Sequence, residues 1–376
     1  MSAPALYNAG VSATVARVIV VAGALMQPQW LPPAELRSRL PRLAQLGGLG
    51  TVDVELPATS DTLPRELAHD RWLREQLARE VGGPVIAPGA MTAVRQLAPF
   101  SQDLSGWLLE PVHLHLAKDH VVLLAGASRG LSTPQAHSLI ESIDPVLADD
   151  DLAVSVLSPT LWHLGASASA ALPRPLQLAC ASFEAAAGRN IDGYLPKGDD
   201  ARRYRKLFNE VQMTWHEHPV NQEREARGEL PINGFWLSGP VAPAALAAWH
   251  GALAQERYAL DDILLEPRLR DDQWAWLEAL QAMDARLHEL LTSDDAPSVL
   301  LCGDNGVRWL QRKAGGRERW SAAIGNSMAG LARRARLLVP RRAATVRAGT
   351  AQSSRHPVGN TSATDPLVQM FIDLDA

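Results

Sequence analysis

Residues 15–26 read Val15-Ala-Arg-Val-Ile-Val-Val-Ala-Gly-Ala-Leu-Met26, an apolar run whose single charge is Arg17. A strand with one wet face alternates apolar and polar residues. A run without alternation is the pattern of a strand covered on both faces, as in a parallel sheet between helices. The run falls well short of the roughly 20 residues needed to span a bilayer. One preceding cation and the following Gln27-Pro28-Gln29-Trp30 do not make a secretory leader, so the chain is expected to be cytoplasmic and to have no transmembrane segment. Beyond the run, Pro32-Pro33 opens a helix through Leu36, Leu40, Leu43 and Leu46 that Gly47-Gly48 ends.

The same reading continues outward. A helix is expected over 61–80, capped by Asp61 or Thr62, with His69-Asp70 on its solvated surface. Residues 107–115 and 120–124 read as a hairpin turned at Ala117-Lys118-Asp119. Ser132-Thr133-Pro134 starts a helix to about Ser142, and 153–157 and 161–164 read as strands. Helices follow over 198–217, 243–254 and 271–291, with strands at 232–238 and 298–302. Strands alternating with helices predict an α/β fold, a mostly parallel sheet sandwiched by helices.

The length of 376 residues suits one large domain or two ordinary ones; the pattern favours a single α/β domain over 1–325 and a tail over 326–376. Residues 308–376 hold 12 Lys and Arg against 4 Asp and Glu, whereas 1–307 hold 24 against 37. Such a basic, partly disordered tail would meet nucleic acid, an anionic membrane surface or the acidic body itself. Cys180 and Cys302 fit neither a disulfide framework nor a paired metal spacing and read as buried apolar residues. Trp (11) outnumbers Tyr (4) and Phe (5) together, and half-buried indoles with a polar partner for the ring N–H are expected. No Gly-x-Gly-x-x-Gly loop after a strand, Walker loop or Gly-x-Ser-x-Gly elbow occurs, which argues against dinucleotide, P-loop and α/β-hydrolase chemistry.

Two blocks carry a family pattern. One is Leu195-Pro196 with Gly198-Asp199, Asn209-Glu210-Val211-Gln212-Met213, His218-Pro219-Val220-Asn221 with Arg224, and Gly228 with Leu230-Pro231-Ile232-Asn233-Gly234-Phe235-Trp236-Leu237 and Gly239. The other is Glu110-Pro111-Val112-His113-Leu114 with Asp119. The chain resembles the RpfE-type regulatory protein family, which is phosphoglycerate-mutase-like and distantly related to the alkaline-phosphatase superfamily. The resemblance spans roughly 15–310 and implies an alkaline-phosphatase-like sandwich. It also implies a carboxylate metal ligand on the first strand, a Ser or Thr nucleophile after it, and a late Asp-His pair. Here the first strand ends Val20-Val21-Ala22-Gly23-Ala24-Leu25, and Asp304 is followed by Asn305-Gly306, so the expected site is degenerate.

Two constellations stand as candidate sites. Asn209, Gln212 and His216 fall on one helical face, and with Asn221, Arg224, Asn233 and the amides near Gly239 they could hold a small anionic metabolite or a protein partner. The alternative is a buried network fixing the 218–232 loop. His113 and His115 share a strand face, and a turn could bring in Asp119 or His120; His113 and Asp119 are the metal candidates, against a surface hairpin with scattered histidines. No cofactor beyond such a divalent metal is expected. Three function readings follow: a catalytically degenerate mutase relative acting as a regulatory binding module, an active metal-dependent mutase or phosphatase, and a nucleic-acid- or membrane-associated protein working through 326–376.

Overall fold

The structure, a computed structural model, describes residues 18–25, 33–45, 49–54, 63–167, 176–292, 297–304, 306–312 and 371. Apart from Phe371, the basic tail expected over 326–376 lies outside the described residues. The strands are β1 Val18–Val21, β2 Leu49–Val54, β3 Gly106–Leu116, β4 Val121–Leu124, β5 Leu152–Ser158, β6 Leu161–Ala166, β7 Gly234–Val241, β8 Tyr258–Asp261, β9 Ser298–Cys302 and β10 Val307–Arg312. The helices are α1 Pro33–Arg39, α2 Ala68–Glu80, α3 Met91–Leu97, α4 Thr133–Ala148, α5 Phe183–Ala186, α6 Ala201–His216, α7 Pro219–Ala226, α8 Pro243–Ala254, α9 Leu265–Leu269 and α10 Gln273–Thr292.

The class is mixed α/β, with two sheets. The first runs β2-β10-β9-β1-β8, and β1 pairs in parallel with both β8 and β9. As its continuous apolar pattern requires, β1 is covered on both faces. Ile19 and Val21 pack with Leu277, Leu280 and Leu287 of α10, while Val20 packs with α2, α3 and α8. Among the described strands, parallel ladders occur in β8-β1-β9. The β10 pairings and the whole second sheet, in which β3 pairs with β4, β6 and β7 and β5 pairs with β6, are antiparallel. The sheet is therefore less parallel than the sequence suggests, because 107–124 and 152–166 are hairpins, which a short connection forces to run antiparallel.

Helices α4 and α6 cover one face of the second sheet, and α2, α3 and α8 fill the space between the two sheets. Helix α4 begins at its Ser132–Gln135 capping box and runs past Ser142, since Ile143 and Leu147 continue the buried stripe. Helix α2 starts only at Ala68, with no side-chain cap, so the caps expected at 61–62 fall outside the described residues. Several of the indoles prove to be core residues rather than half-buried ones, although Trp274 is exposed. Trp162, Trp215, Trp236 and Trp276 are fully buried, and each ring N–H donates to a carbonyl, of Pro159, Leu139, Ala181 and Gly23 respectively. No helix among the described residues is long and apolar enough to cross a membrane.

Phe371 is fully buried in the α1–α10 core, edge-on to Trp276 with ring centroids 6.2 Å apart. Replacing it by alanine removes a fully buried aromatic ring. Phe371→Ala is expected to lower unfolding stability by about 3 kcal/mol in urea titration.

Candidate functional site

The first turn of α2 carries His69 and Asp70, and both side chains are fully buried. This overturns the solvated-surface reading of that pair. Their partners come from elements far apart in sequence. Arg95 of α3 donates from Nε to Asp70 Oδ1 at 2.7 Å, and its Nη2 lies 3.4 Å from Glu184 Oε1 of α5. His69 Nε2 lies 3.5 Å from Asp70 and 3.4 Å from Glu184. The Thr92 hydroxyl is hydrogen-bonded to Asp70 and lies 3.1 Å from Glu184 Oε2. Glycine makes this approach geometrically feasible. Gly89 has φ +81°, and a Cβ there would come within 2.3 Å of the Cys180 carbonyl, so any side chain would push the α2–α3 connection off the segment leading to α5.

Burial penalises every charge in this group, yet the group balances itself. Burial acts to neutralise His69, but the Asp70 and Glu184 carboxylates outweigh it and raise the imidazole above its usual pKa. Burial likewise works against ionised Asp70, and Arg95 outweighs it and holds the carboxyl below its usual range. Two carboxylates thus face one guanidinium and one imidazole whose charged form they favour. His69, Asp70 and Glu184 offer ligand atoms within 4.8 Å of one another, close enough for a metal. Arg95 already bonds Asp70 and approaches Glu184 Oε1, so a metal bound here would compete with that guanidinium for Asp70.

The ends of the parallel strands are closed in the same manner. After β1, Ala22 is fully buried and packs with Leu67 and Leu265. A Cβ on Gly23 would lie 2.8 Å from Leu265 Cα. Asp304, beyond β9, has its Oδ2 held by Arg189 at 2.6 Å and Arg268 at 3.1 Å. Asp261, at the end of β8, is buried and paired with Arg286 at 2.8 Å. A divalent metal of the kind the mutase resemblance implies does not fit these residues.

Arg95 and Glu184 also line a cavity of about 1150 Å³ between the sheets, walled by β3, α3, α8, β8 and α9. Glu110 of β3 lines it too. Its Oε2 is buried without a hydrogen-bond partner, and burial, reinforced by the Glu184 charge, pushes its pKa up to about 8. Sequence reasoning placed Glu110 only within a motif and missed Arg95 and Glu184. The one available signal was Pro88-Gly89 before an apolar stretch, a weak mark for a seven-residue helix.

The residues singled out from sequence serve the backbone. Asn221 donates to the Trp215 and Ile232 carbonyls and accepts from the Ile232 amide. Arg224 is buried, donates to the carbonyls of Leu230 and Ala127 at 2.8 and 2.7 Å, and pairs with Glu229. Asn233 bonds both the amide and the carbonyl of Leu114, and His113 Nδ1 meets the Pro231 carbonyl. This arrangement supports the buried-network alternative for the 218–232 loop. Asn209 and His216 are exposed on α6, and Gln212 reaches only the Phe208 carbonyl at 3.4 Å. Gly239 lies within β7 against Trp107. Asp119 is exposed at the hairpin turn, bonded to His120. The three metal-ligand-type side chains found close together among the described residues are those on α2 and α5, and they include neither His113 nor Asp119.

No family model matches the chain. Over 63 residues it is 33% identical to a 2,3-bisphosphoglycerate-independent phosphoglycerate mutase of Methanothrix thermoacetophila, and over 130 residues 24% identical to one of Methanosarcina mazei. These stretches are 17% and 33% of this chain and span only 16% and 30% of those relatives. Among solved structures, a cofactor-independent phosphoglycerate mutase of Thermoplasma acidophilum is 14% identical, with a TM-score of 0.27 over 79% of this chain and 90% of that one. The PH0037 protein of Pyrococcus horikoshii is 13% identical, with a TM-score of 0.37 over 80% and 88%.

Two predictions follow from this geometry. Arg224→Ala strands the carbonyls of Leu230 and Ala127 and is expected to cost about 2–4 kcal/mol of stability in denaturant unfolding. The second concerns pH. The unfolded chain releases the Glu110 proton near 4.5, whereas the folded chain keeps it to about 8. Between those values the folded state binds more protons, so stability falls as pH rises. Raised His69 adds to the fall above its ordinary value of 6.5, and lowered Asp70 removes stability only below 3.8. Glu110→Gln is therefore expected to flatten the slope between pH 5 and 8 while His69 keeps part of it, as read from thermal midpoints across that range.

Proposed function

We propose that this chain is a phosphoglycerate-mutase-like protein of RpfE type that has lost metal-dependent phosphoryl transfer and acts as a regulatory module, binding a metabolite in the cavity between its sheets. The observation that carries this reading is the end of β1. The resemblance implies a carboxylate ligand there, and the chain has buried Ala22 enclosed by Leu67 and Leu265. A metal that neutralises a transferring phosphoryl group needs hard oxygen or imidazole ligands. Ala22 offers none, and the nearby Asp304 is neutralised by Arg189 and Arg268.

The nucleophile argument points the same way. Thr92 is the hydroxyl beside the acidic group, and it is fully buried and bonded to Asp70. A hydroxyl fixed in that way, with no open face toward substrate, does not attack a phosphoryl group. The partial sequence matches to two archaeal mutases favour the alternative of an active enzyme, and turnover separates the two. Purified chain offered Mn²⁺, Mg²⁺ or Zn²⁺ in turn is expected to hold no stoichiometric metal and to leave 3-phosphoglycerate unconverted. Stoichiometric metal with conversion to 2-phosphoglycerate would establish the enzyme instead.

A further inference from the structure

The first sheet ends at an open strand edge. β8 is last in the order β2-β10-β9-β1-β8, and among the described strands it pairs with β1, from Val18↔Tyr258 to Val21↔Asp261. In a parallel ladder, alternate residues direct both amide and carbonyl to the same neighbour. The Val18 amide donates to the Arg257 carbonyl and the Ala22 amide to the Asp261 carbonyl, so the odd-numbered residues serve β1. Tyr258 and Leu260 therefore turn their amides and carbonyls outward, where they have no partner among the described residues.

The cavity follows this edge. Successive side chains of a strand point to opposite faces. Ala259 packs toward the α10 core, and Tyr258 and Leu260 pack toward the core of α2, α3 and α8, yet all three line the cavity. A space touched by three consecutive strand residues lies beside the strand rather than over one face of it. All three are half-buried, so the edge sits in a groove, and a cavity of about 1150 Å³ has room for a short extended segment. Glu256 and Asp262 stand before and after β8, and both line the cavity. Neither has an ion-pair partner among the described residues: Arg257 pairs instead with Glu80, and Arg286 with Asp261. Two copies of this edge paired antiparallel would set Glu256 carboxylates against Asp262 carboxylates, which disfavours a second copy of the chain. The complementary occupant is an extended segment with a cation toward each end.

We propose that β8 accepts a cationic, extended peptide segment of a partner protein as an added strand, its backbone on Tyr258 and Leu260 and its end cations against Glu256 and Asp262. In this mode of recognition main-chain hydrogen bonds supply affinity, and the flanking charges select the partner. The proposal rests on the reading of the cavity as a binding site and names the kind of protein partner that a regulatory module of this shape would take. The segment uses one wall of the cavity, so a metabolite filling that space competes with it.

The probe is the blocked peptide acetyl-Arg-Thr-Val-Thr-Val-Thr-Arg-amide, whose cations have the spacing of residues 256 and 262, titrated into the full chain by calorimetry. It is expected to bind at least about tenfold more tightly than the same peptide ended by Glu, the size of two partly exposed ion pairs. Two further peptides carry N-methyl groups on alternate amides, one in each phase. The one whose methyl groups face β8 should bind at least about tenfold more weakly than the other, for the loss of main-chain donors. Hydrogen exchange gives a second readout: the peptide should slow the Tyr258 and Leu260 amides and leave those of Ala259 and Asp261, already paired with β1, unchanged. Glu256→Gln with Asp262→Asn should bring the two charge forms to within about threefold of each other. Equal binding of the two charge forms or of the two N-methyl phases, or binding by none, would overturn the proposal; the wild-type comparisons suffice if the variant fails to fold. Tyr258 and Leu260 amides that exchange slowly without peptide would put a segment of this chain on the edge and overturn the partner. Absence of peptide binding leaves the loss of phosphoryl transfer standing, and conversion of 3-phosphoglycerate would remove that loss without touching the strand edge.

Discussion

The Arg95 guanidinium, held between Asp70 and Glu184, is the contact on which the arrangement of the two sheets depends. A buried carboxylate without a cation costs several kcal/mol, and here two lie together away from water. Their charges come from α2 and α5, and the compensating ones from α3 and the imidazole of His69. Neutrality is therefore a tertiary property, since no single helix achieves it. Helix α2 is tied to the first sheet through its Ala68 amide and the Asp304 carbonyl. Helix α5 is tied to the second sheet, where the Phe183 amide bonds Ser238 of β7. Charge balance thus links elements tied to each of the two sheets.

The strand ends repeat this solution. At Asp304 and Asp261 the countercharge is again arginine, from Arg189 and Arg268 in the first case and Arg286 in the second. In each case a guanidinium on a neighbouring element stands where a carboxylate would otherwise need an external cation. Guanidinium is weakly hydrated and forked, which suits it to replacing a metal as the partner of buried oxygens. The chain has in effect internalised its cations at these positions, whereas half-buried Glu110 on the cavity keeps a buried oxygen without such a partner.

Much of the fold was legible in the sequence for reasons these contacts make plain. Strand β1 was readable because burial on both faces leaves no polar alternation, and α8 was readable from Pro243 to Ala254 because proline marks its start. The hairpin β3–β4 was visible in its turn, β5 and β6 in their apolar or alternating runs, and helix α10 over 271–291 behind its acidic Asp271-Asp272 start. Helix α3 was not visible, since seven residues hold barely two turns and its Arg95 resembles any surface cation. Strand β8 was missed because its four residues lie between Arg257 and Asp262 and read as loop. His69 and Asp70 looked solvated for a deeper reason. What buries them are Arg95 and Glu184, 25 and 115 positions away in the chain, and no local pattern encodes that pairing.

The candidate site itself shows why polar density in sequence is a poor guide to a ligand. The 209–239 block is rich in Asn, Gln, His and Arg, yet its buried members spend their hydrogen bonds on carbonyls and amides of nearby backbone. Two guanidinium nitrogens of Arg224 donate to backbone carbonyls, and the third lies 3.2 Å from the Glu229 carboxylate. Such a residue spends its bonds on the fold, and removing it exposes main-chain groups rather than emptying a pocket. Glu110 is the opposite case: one acid in an otherwise apolar strand segment, holding a buried oxygen with no partner and lining a cavity large enough for a small molecule. A satisfied polar group stabilises the fold, and an unsatisfied one is tolerated only where something outside the chain compensates it. By that physical distinction Glu110 differs in kind from the polar residues of the 209–239 block, whose hydrogen bonds are spent on the backbone.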